Sequence, residues 1–240
     1  MNVSLKELKA QTEKMANKEI ADHSQRFFKT GPGEYGEGDK FLGIRVPETR
    51  KLARKFRGLP HAEVLELLKS EFHEERLLAL FILVENFKKG SEVEKAEIYH
   101  AYLSHTKFIN NWDLVDSSAH QIVGGFLSDR DRRPLDNLAK SQNLWERRIA
   151  IIATYCFIKR GDFSDTLKIA EILLSDKEDL IHKAVGWMLR EIGNRDLDSE
   201  EKFLQKHYKT MPRTMLRYAI EKFDENKRRA YLRGKIKNDL

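Results

Sequence analysis

Two stretches, Glu75-Arg76-Leu77-Leu78-Ala79-Leu80 and Glu146-Arg147-Arg148-Ile149-Ala150-Ile151, follow one plan, a charged start and then an aliphatic run. The segment Ile181-His182-Lys183-Ala184-Val185-Gly186 repeats that plan further along the chain. Helix starts near residues 74, 112, 145, 180 and 213 recur at intervals of 33 to 38 residues. Such a period is typical of stacked helical repeats, in which each helix pair buries its apolar face against its neighbours. The pattern predicts an all-α fold, arranged as a curved solenoid of helical repeats.

The composition excludes one class of protein and disfavours another. Hydrophobic residues make up 40% of the 240 residues and aromatic residues 10%, which is too apolar for an intrinsically disordered chain. The chain holds 13 glycines and 5 prolines, and an all-β fold would need more of them for its tight turns. The helical period predicts helices at about 5–16, 18–28, 47–56, 60–70, 73–89, 92–104, 111–127, 132–140, 144–160, 163–174, 178–193, 198–208, 212–223 and 225–235.

The length and the apolar runs predict a single soluble domain in the cytoplasm. We expect N-terminal helices and a Gly-rich loop over residues 1–40, followed by the repeat array over residues 41–235. The longest apolar run, Leu77–Val84, is far shorter than the roughly 20 residues that cross a bilayer, and the N-terminal segment lacks the apolar core of a signal peptide. Cys156 is the only cysteine, so an intramolecular disulfide is excluded.

The charge is concentrated at one end of the chain. Residues 201–240 hold 12 Lys and Arg against 5 Asp and Glu, a net charge of +7, whereas residues 1–200 have a net charge of −1. A polyanionic partner such as nucleic acid would explain this asymmetry. A solubilising C-terminal helix explains the charge equally well.

Three motifs that resemble known catalytic or binding signatures do not predict sites. Gly31-Pro32-Gly33-Glu34-Tyr35-Gly36 matches the dinucleotide fingerprint, but no strand precedes it, and acidic neighbours such as Asp39 would repel phosphates. We therefore expect residues 29–40 to form a solvent loop. Ser104-His105-Thr106-Lys107 lacks the companion motifs of Ser–Lys enzymes. The histidines show no zinc-binding spacing, and we expect neither a metal nor a cofactor.

The segment Asn111-Trp112-Asp113-Leu114-Val115-Asp116 opens a predicted helix and has an unusual polar face. Trp112 and Asp116 stand four residues apart, on the same side of a helix. Asp113 lies in the first turn, where a carboxylate caps the helix or meets its dipole favourably. Asp116 is a full turn further in and needs another explanation. Packing of the tryptophan beside a surface charge is the alternative to a functional site.

A second tryptophan, Trp187, follows a glycine in the middle of a predicted helix. Glycine there is less favourable than alanine by about 1 kcal/mol. Gly186 is therefore explained either by a ligand that approaches the backbone closely or by an ordinary contact between two helices.

Four ordered motifs resemble the bacterial AlkD family of DNA alkylation-repair glycosylases, which are built of HEAT-like helical repeats. They are Phe41–Arg50, Asn111–Asp116, Asn143–Arg148 and Lys183–Glu191, and the likeness extends over about residues 40–230. Some members of that family carry a second tryptophan just before the first motif tryptophan. This chain has Asn111 there, a difference that bears on contacts with the duplex.

The resemblance implies hydrolysis of the N-glycosidic bond of N3- or N7-alkylated purines in duplex DNA. We expect the protein to be a monomer. The resemblance also implies that Asp116 is the catalytic carboxylate and that Trp112 and Trp187 contact the lesion. Together with the basic excess of the C-terminal segment, it points to basic DNA contacts at Arg148, Lys183, Arg190, Arg213, Arg217, Arg228 and Arg229.

The chemistry of these residue types fits that activity. An N-alkylated purine is already cationic and leaves without receiving a proton, so one carboxylate suffices where ordinary glycosidases need two. The carboxylate stabilises the oxocarbenium character of the sugar and orients water, while tryptophan faces attract cations. Helical-repeat proteins are mostly binding scaffolds, so a non-catalytic scaffold for DNA or protein is the alternative.

Overall fold

A computed structural model describes residues 4–236. The predicted all-α class is confirmed, since these residues form helices and turns and contain no β-strand. One isolated β-bridge joins Lys40 and Phe72. The chain divides into two compact units, of which the first ends at Ser118 and the second begins at Ala119. That the chain forms a single domain stays a prediction.

The first unit consists of helices joined by short turns, apart from one long loop over residues 28–45. Its elements are α1 (Leu5–Met15), α2 (Lys18–Phe27), α3 (Val46–Lys55), α4 (His61–Leu67), α5 (His73–Lys89), α6 (Glu92–Ser104), a 3₁₀ turn (Thr106–Phe108) and α7 (Trp112–Asp116). Helix α5 is the centre of the unit, because every residue from Leu77 to Val84 is buried. A helix that is apolar on all sides is stable only when neighbours surround it.

The second unit follows the same plan. Its elements are α8 (Ala119–Leu127), α9 (Arg133–Ala139), α10 (Leu144–Ala153), α11 (Tyr155–Ile158), α12 (Ser164–Ile172), α13 (Asp179–Gly193), α14 (Leu197–His207), α15 (Arg213–Ala219) and α16 (Glu225–Leu232), with 3₁₀ turns at Leu173–Ser175 and Ile220–Lys222. Helix α10 supplies a continuous buried run, Arg148–Ala153, as α5 does in the first unit.

The sequence repeat corresponds to a repeated hydrogen-bond pattern, which we call a repeat frame. In the first frame (residues 70–76), the Ser70 hydroxyl donates to Glu75 at 2.6 Å and accepts the Phe72 N–H at 3.1 Å. Arg76 Nη1 donates to the Ser70 carbonyl at 3.0 Å. A serine, a glutamate and an arginine thus close the turn that starts α5.

The second frame (residues 141–147) makes the same bonds before α10. The Ser141 hydroxyl donates to Glu146 at 2.6 Å and accepts the Asn143 N–H at 3.0 Å. Arg147 Nη1 donates to the Ser141 carbonyl at 3.0 Å. The Glu-Arg pairs that reveal the repeat in the sequence therefore have one structural role in both units.

Two predicted helices are interrupted, each at a hydroxyl side chain. The helix predicted over residues 111–127 breaks at Ser117–Ser118, where the Ser118 hydroxyl donates to the Leu114 carbonyl at 2.6 Å. The helix predicted over residues 144–160 breaks at Thr154, whose hydroxyl donates to the Ile151 carbonyl at 2.7 Å. Serine and threonine compete in this way for backbone acceptors, which helical periodicity does not reveal.

A helix–helix contact accounts for Gly186. A Cβ at this position would lie 2.4 Å from the Met215 carbonyl oxygen and 2.5 Å from Tyr218 Cβ. Helices α13 and α15 therefore approach too closely there for any larger residue. Of the two explanations left open by the sequence, the ordinary packing contact is confirmed.

Among the described residues, none of the helices combines the length and apolar character needed to cross a membrane. These residues also contain no group of three or more His, Cys, Asp or Glu side chains placed to hold a metal ion.

Candidate active site

Helix α7 places Trp112 and Asp116 on one face, as the sequence predicts. Its first turn is fixed by Asn111, a completely buried residue whose side-chain oxygen accepts the Trp112 N–H at 2.8 Å. Trp112 and Asp116 are both half-buried. Asn111, which stands where some members of the resembled family have a second tryptophan, is therefore an internal helix cap in this chain and not a surface residue.

The indole ring of Trp112 rests on a stack of aromatic rings. It packs nearly parallel to Phe28, with ring centroids 5.4 Å apart, and meets the edge of Phe27 at 6.1 Å. Phe28 in turn stacks on Phe41 at 5.2 Å, and Phe41 stacks on the His73 ring at 4.7 Å. We call these four residues, Trp112, Phe28, Phe41 and His73, the aromatic stack.

His73 is held between two carboxylates in the interior of the first unit. Its Nδ1 lies 3.1 Å from Asp39 Oδ2, its Nε2 lies 2.8 Å from Asp113 Oδ2, and the residue is 2% exposed. Burial by itself would lower the pKa of His73, but the Asp113 carboxylate, with help from Asp39, raises that pKa to about 9. At neutral pH the ring is an imidazolium that donates a hydrogen bond from each nitrogen.

Asp39 completes this buried charge network. Arg76 Nη2 donates to its Oδ1 at 2.7 Å, and both side chains are 5% exposed. Although burial opposes ionisation, hydrogen bonds and charges from His73 and Arg76 hold the pKa of Asp39 below its usual value. The expectation that residues 29–40 form only a solvent loop is wrong at this end, because the loop delivers Asp39 into the core.

Asp113 lies in the first turn of α7, where its charge meets the helix dipole favourably as predicted, but it is not the N-cap and it has a further partner. Asn111 is the cap, whereas Asp113 accepts the Leu114 N–H at 2.9 Å with one oxygen and faces His73 with the other. Sequence spacing placed this carboxylate in the first turn correctly. It could not show that a histidine from α5, forty residues earlier, would meet it.

The segment Phe41–Arg50 is anchored by a buried carboxylate. Glu74 accepts the N–H groups of Leu42 at 2.9 Å, Gly43 at 2.8 Å and Ile44 at 3.2 Å. Gly43 has φ +82°, and a Cβ there would lie 2.0 Å from the Asn17 carbonyl oxygen, so only glycine fits. This anchor fixes the segment that supplies Phe41 to the aromatic stack.

Asp116 ends α7 close to the buried end of α6. Burial chiefly, and the Asp116 charge in addition, raise the pKa of the Tyr102 hydroxyl, which lies 2.9 Å from the Ser118 hydroxyl. The Asp116 carboxylate is thus near a buried, neutral phenol, while Asp113 belongs to the charge network. The two aspartates therefore have different surroundings, as the sequence predicts. The contact of Asp113 with His73, however, is not part of that prediction.

Trp187, in the second unit, is held by a carboxylate on its own helix. Its indole N–H donates to Glu191 at 3.2 Å, and Arg195 donates to the same carboxylate at 2.9 Å. The Tyr155 ring lies 6.1 Å away, with the Arg195 guanidinium 5.9 Å from its centroid. These contacts fix the orientation of the half-buried Trp187 indole.

Arg148 and Lys183, the first predicted phosphate contacts, lie near the start of α13. Arg148 is 5% exposed and donates to the Leu180 carbonyl, so the side chain also braces α10 against α13. Lys183 is half-buried and lies 2.8 Å from Asp179, one turn before it. Contact of either residue with DNA stays a prediction.

The remaining predicted DNA contacts differ in their availability. Arg190 forms an ion pair with Glu221, and Arg229 pairs with Glu225 at 2.7 Å, with Arg228 3.5 Å from the same glutamate. Arg213 is exposed and uses one N–H on the Leu232 carbonyl. Arg217, one turn further along α15, is exposed and makes no hydrogen bond or ion pair with the part of the chain that the structure describes.

The sequence profile of the family described as DNA alkylation repair enzyme matches residues 8–223, a range that includes both tryptophan sites. The chain belongs to the DNA alkylation repair enzyme family. The resemblance drawn from four motifs is thereby confirmed. Among curated proteins, a search found no match to this chain.

Solved structures show the same fold as this member of the DNA alkylation repair enzyme family. A predicted DNA alkylation repair enzyme from Enterococcus faecalis is similar with a TM-score of 0.68 at 17% identity, over 88% of this chain and 98% of that one. AlkD2 from Streptococcus mutans gives a TM-score of 0.53 at 20% identity, over 92% and 99%. The smu.31 protein of Streptococcus mutans UA159 gives 0.51 at 19% identity, over 91% and 98%.

The sequence of this repair-family chain does not indicate the groups that support Trp112. Asp39 lies in a segment with the composition of a surface loop and no motif marks His73, because burial and pairing across long sequence separations leave no local signal. The charged run Glu74-Glu75-Arg76 at the start of an almost wholly apolar helix is a partial signal in the sequence. In the structure all three side chains are buried and need partners from other segments.

Proposed function

We propose that this chain is a DNA glycosylase that removes cationic N3- and N7-alkylated purines from duplex DNA. The proposal rests mainly on Trp112 and Asp116, which lie on one face of a short helix with a fixed first turn, in a chain of the DNA alkylation repair enzyme family. Monomeric state and cytoplasmic location belong to the same proposal.

The reaction needs one carboxylate and a water molecule. When the bond between the sugar C1′ and the purine nitrogen breaks, its electron pair moves to the purine, which loses its positive charge and leaves. The sugar then carries oxocarbenium charge, which the Asp116 carboxylate stabilises. Water adds to C1′ and gives its proton to Asp116, and the products are a free base and an abasic site.

The two tryptophans supply surfaces that favour positive charge. An indole face attracts a cation by about 0.5–2 kcal/mol, depending on how far the pair is removed from water. Trp112 is held by the aromatic stack, and Trp187 is held by Glu191. Because both orientations are fixed before substrate binds, little ordering remains to be done in the complex.

The basic residues of the second unit provide the contacts with phosphate. Arg213 and Arg217 are exposed one turn apart on α15, and they suit phosphate binding better than Arg190, which is paired with Glu221. Contacts with phosphates set the position of the protein on the duplex and carry no sequence information.

The activity is tested directly with a DNA duplex that contains one N7-methylguanine. After incubation with the protein, alkaline treatment cleaves the strand at any abasic site. We expect cleavage at the lesion and none in an undamaged duplex. An intact strand after prolonged incubation with excess protein would contradict the proposal and would favour the alternative, a non-catalytic scaffold for DNA or protein.

Binding to the duplex is predicted to weaken steeply with salt, at a log–log slope of about −0.9 per phosphate neutralised. Changing Arg213 and Arg217 to glutamate should weaken binding and flatten that slope, with equal effects on different sequences. Each arginine is also changed alone, and Arg133→Glu is the matched control for either single variant, since Arg133 is also exposed but pairs with Asp131. Equal losses in the control and in both single variants would show a general charge effect and no phosphate site on α15.

A further inference from the structure

The two repeat frames differ at four of their seven positions, and one of these differences, at residue 73, is not needed for the hydrogen bonds that the frames share. Residue 73 of the first frame corresponds to residue 144 of the second, counted from Ser70 and Ser141. The first frame has His73 there and the second has Leu144, yet both make the same serine, glutamate and arginine hydrogen bonds. The turn that starts the helix therefore forms without a histidine.

A charged histidine at a buried position such as residue 73 destabilises the fold unless groups of opposite charge contact it. Moving an ionised side chain out of water is costly, and only close partners of opposite charge offset this. The groups that face it are Asp39 from the loop, Asp113 from α7 and Arg76 from its own helix. With two carboxylates and two cations, the cluster is neutral as a whole when His73 is protonated.

The cluster joins three segments that end at Trp112. Asp39 closes the Gly-rich loop, His73 lies at the start of α5, and Asp113 is the residue directly after Trp112. The histidine ring is also a member of the aromatic stack, because it lies 4.7 Å from Phe41 and 4.8 Å from Phe28, on which the indole rests. One side chain thus contacts both the helix that bears Trp112 and the rings beneath it.

We infer that His73 is a positioning residue of the Trp112 site, whose imidazolium ties the start of α7 to the Gly-rich loop and so fixes the Trp112 ring and the Asp116 carboxylate. Its effect on excision rests on the proposed function. Its effect on the orientation of Trp112 does not, so the two are measured separately.

The first measurement is NMR of the full chain labelled with ¹⁵N-histidine and 5-fluorotryptophan. We expect both ring nitrogens of His73 to be protonated at pH 7. We also expect the ¹⁹F signal of Trp112, assigned by Trp112→Phe, to titrate together with His73 at alkaline pH. In His73→Gln, which cannot carry the charge, the Trp112 signal should shift or broaden and its titration should disappear.

The second measurement is single-turnover excision of N7-methylguanine by the same proteins. A small displacement of a reacting group is sufficient to slow chemistry by roughly 10- to 100-fold, so His73→Gln should lose about that much rate with unchanged affinity for DNA. Asp176→Asn is the control, because it weakens the ion pair of Arg147 with Asp176 in the second frame. It should lower thermal stability and leave the Trp112 signal in place.

Several results would overturn the inference. One is a bare ring nitrogen on His73 at pH 7, and another is an unmoved Trp112 signal in folded His73→Gln. Unchanged excision in His73→Gln, when the parent is active, also contradicts it. If His73→Gln fails to fold, the titration of the parent decides alone. If the parent shows no excision, the proposed function fails while the NMR titration still tests the role of His73.

Discussion

The two repeat frames make the same serine, glutamate and arginine hydrogen bonds but have different surroundings. In the first, Arg76 pairs with Asp39, which also receives a hydrogen bond from His73, and the charges continue to Asp113. In the second, Arg147 pairs with Asp176 at 2.6 Å, and the position that corresponds to His73 is a leucine. In the second frame the charged contacts stop at the ion pair between Arg147 and Asp176. In the first frame they continue through His73 to Asp113 on α7, the candidate catalytic helix.

The comparison separates the residues of a repeat that are needed for folding from those that support the candidate site. The serine, glutamate and arginine are needed to turn the chain into the next helix, and both frames keep them. The extra charges of the first frame serve Trp112, while Trp187 in the second unit is held by Glu191 and Arg195 at the surface of its own helix. Two tryptophans with similar proposed roles are thus positioned by unrelated means.

The largest effect is expected when the arginine of each frame is removed. Arg76→Met leaves Asp39 buried with only His73 as partner, and breaking such a buried pair costs about 3–5 kcal/mol. Arg147→Met should cost less, because Arg147 is more exposed than Arg76, at 15% against 5%. Chemical denaturation of both variants at pH 7 measures the difference. Equal losses would contradict the view that the first frame carries the more demanding charge network.

The next prediction concerns His73→Leu, which gives the first frame the residue type that the second frame has at the corresponding position, Leu144. The pKa of His73 is raised from 6.5 to about 9, so its contribution to stability is complete below pH 6.5 and is lost as pH rises through 9. A shift of this size corresponds to a contribution on the order of 3 kcal/mol. His73→Leu should therefore be less stable than the parent at pH 6, and the difference should shrink towards pH 10. Unfolding midpoints across that range test it, and a constant difference would show that the charge of His73 is unimportant.

The smallest effect concerns what the frames share. Ser70→Ala and Ser141→Ala each remove a hydroxyl that donates to a glutamate at 2.6 Å. A hydrogen bond to a charged group contributes about 1.5–3 kcal/mol, so both variants should lose a similar amount within that range. Closely similar denaturation midpoints would support equivalent frames. A much larger loss at one serine would show that the frames are not equivalent even in their shared bonds.

The sequence predicts the helices and their period well because these depend on local pattern. The Glu-Arg starts, the aliphatic runs and the caps are all read within a few residues, and the observed helices follow them closely. The two interruptions, at Ser118 and Thr154, depend on side-chain hydroxyls that donate to backbone carbonyls of the preceding turn. The spacing of apolar residues does not show which hydroxyls will form such bonds.

The candidate site is predictable only in part, for the same reason. Trp112 and Asp116 are found because their spacing places them on one helix face. The roles of Asp39, His73 and Asp113 depend on contacts across 34 and 40 residues of chain, and no local spacing encodes them. The charge of the C-terminal segment is also visible in the sequence, but the long-range ion pair between Arg190 and Glu221 is not.

The most direct test of the account compares Asp116→Asn with Asp113→Asn in single-turnover release of N7-methylguanine under saturating protein. Asp116→Asn should keep the fold and the affinity for DNA and lose orders of magnitude in rate, since it removes the charge that stabilises the sugar. Asp113→Asn should lower stability and reduce the rate far less, because it acts on the reaction only through His73 and Trp112. Equal rates for Asp116→Asn and the parent would contradict both the assignment of Asp116 and the mechanism built on its charge.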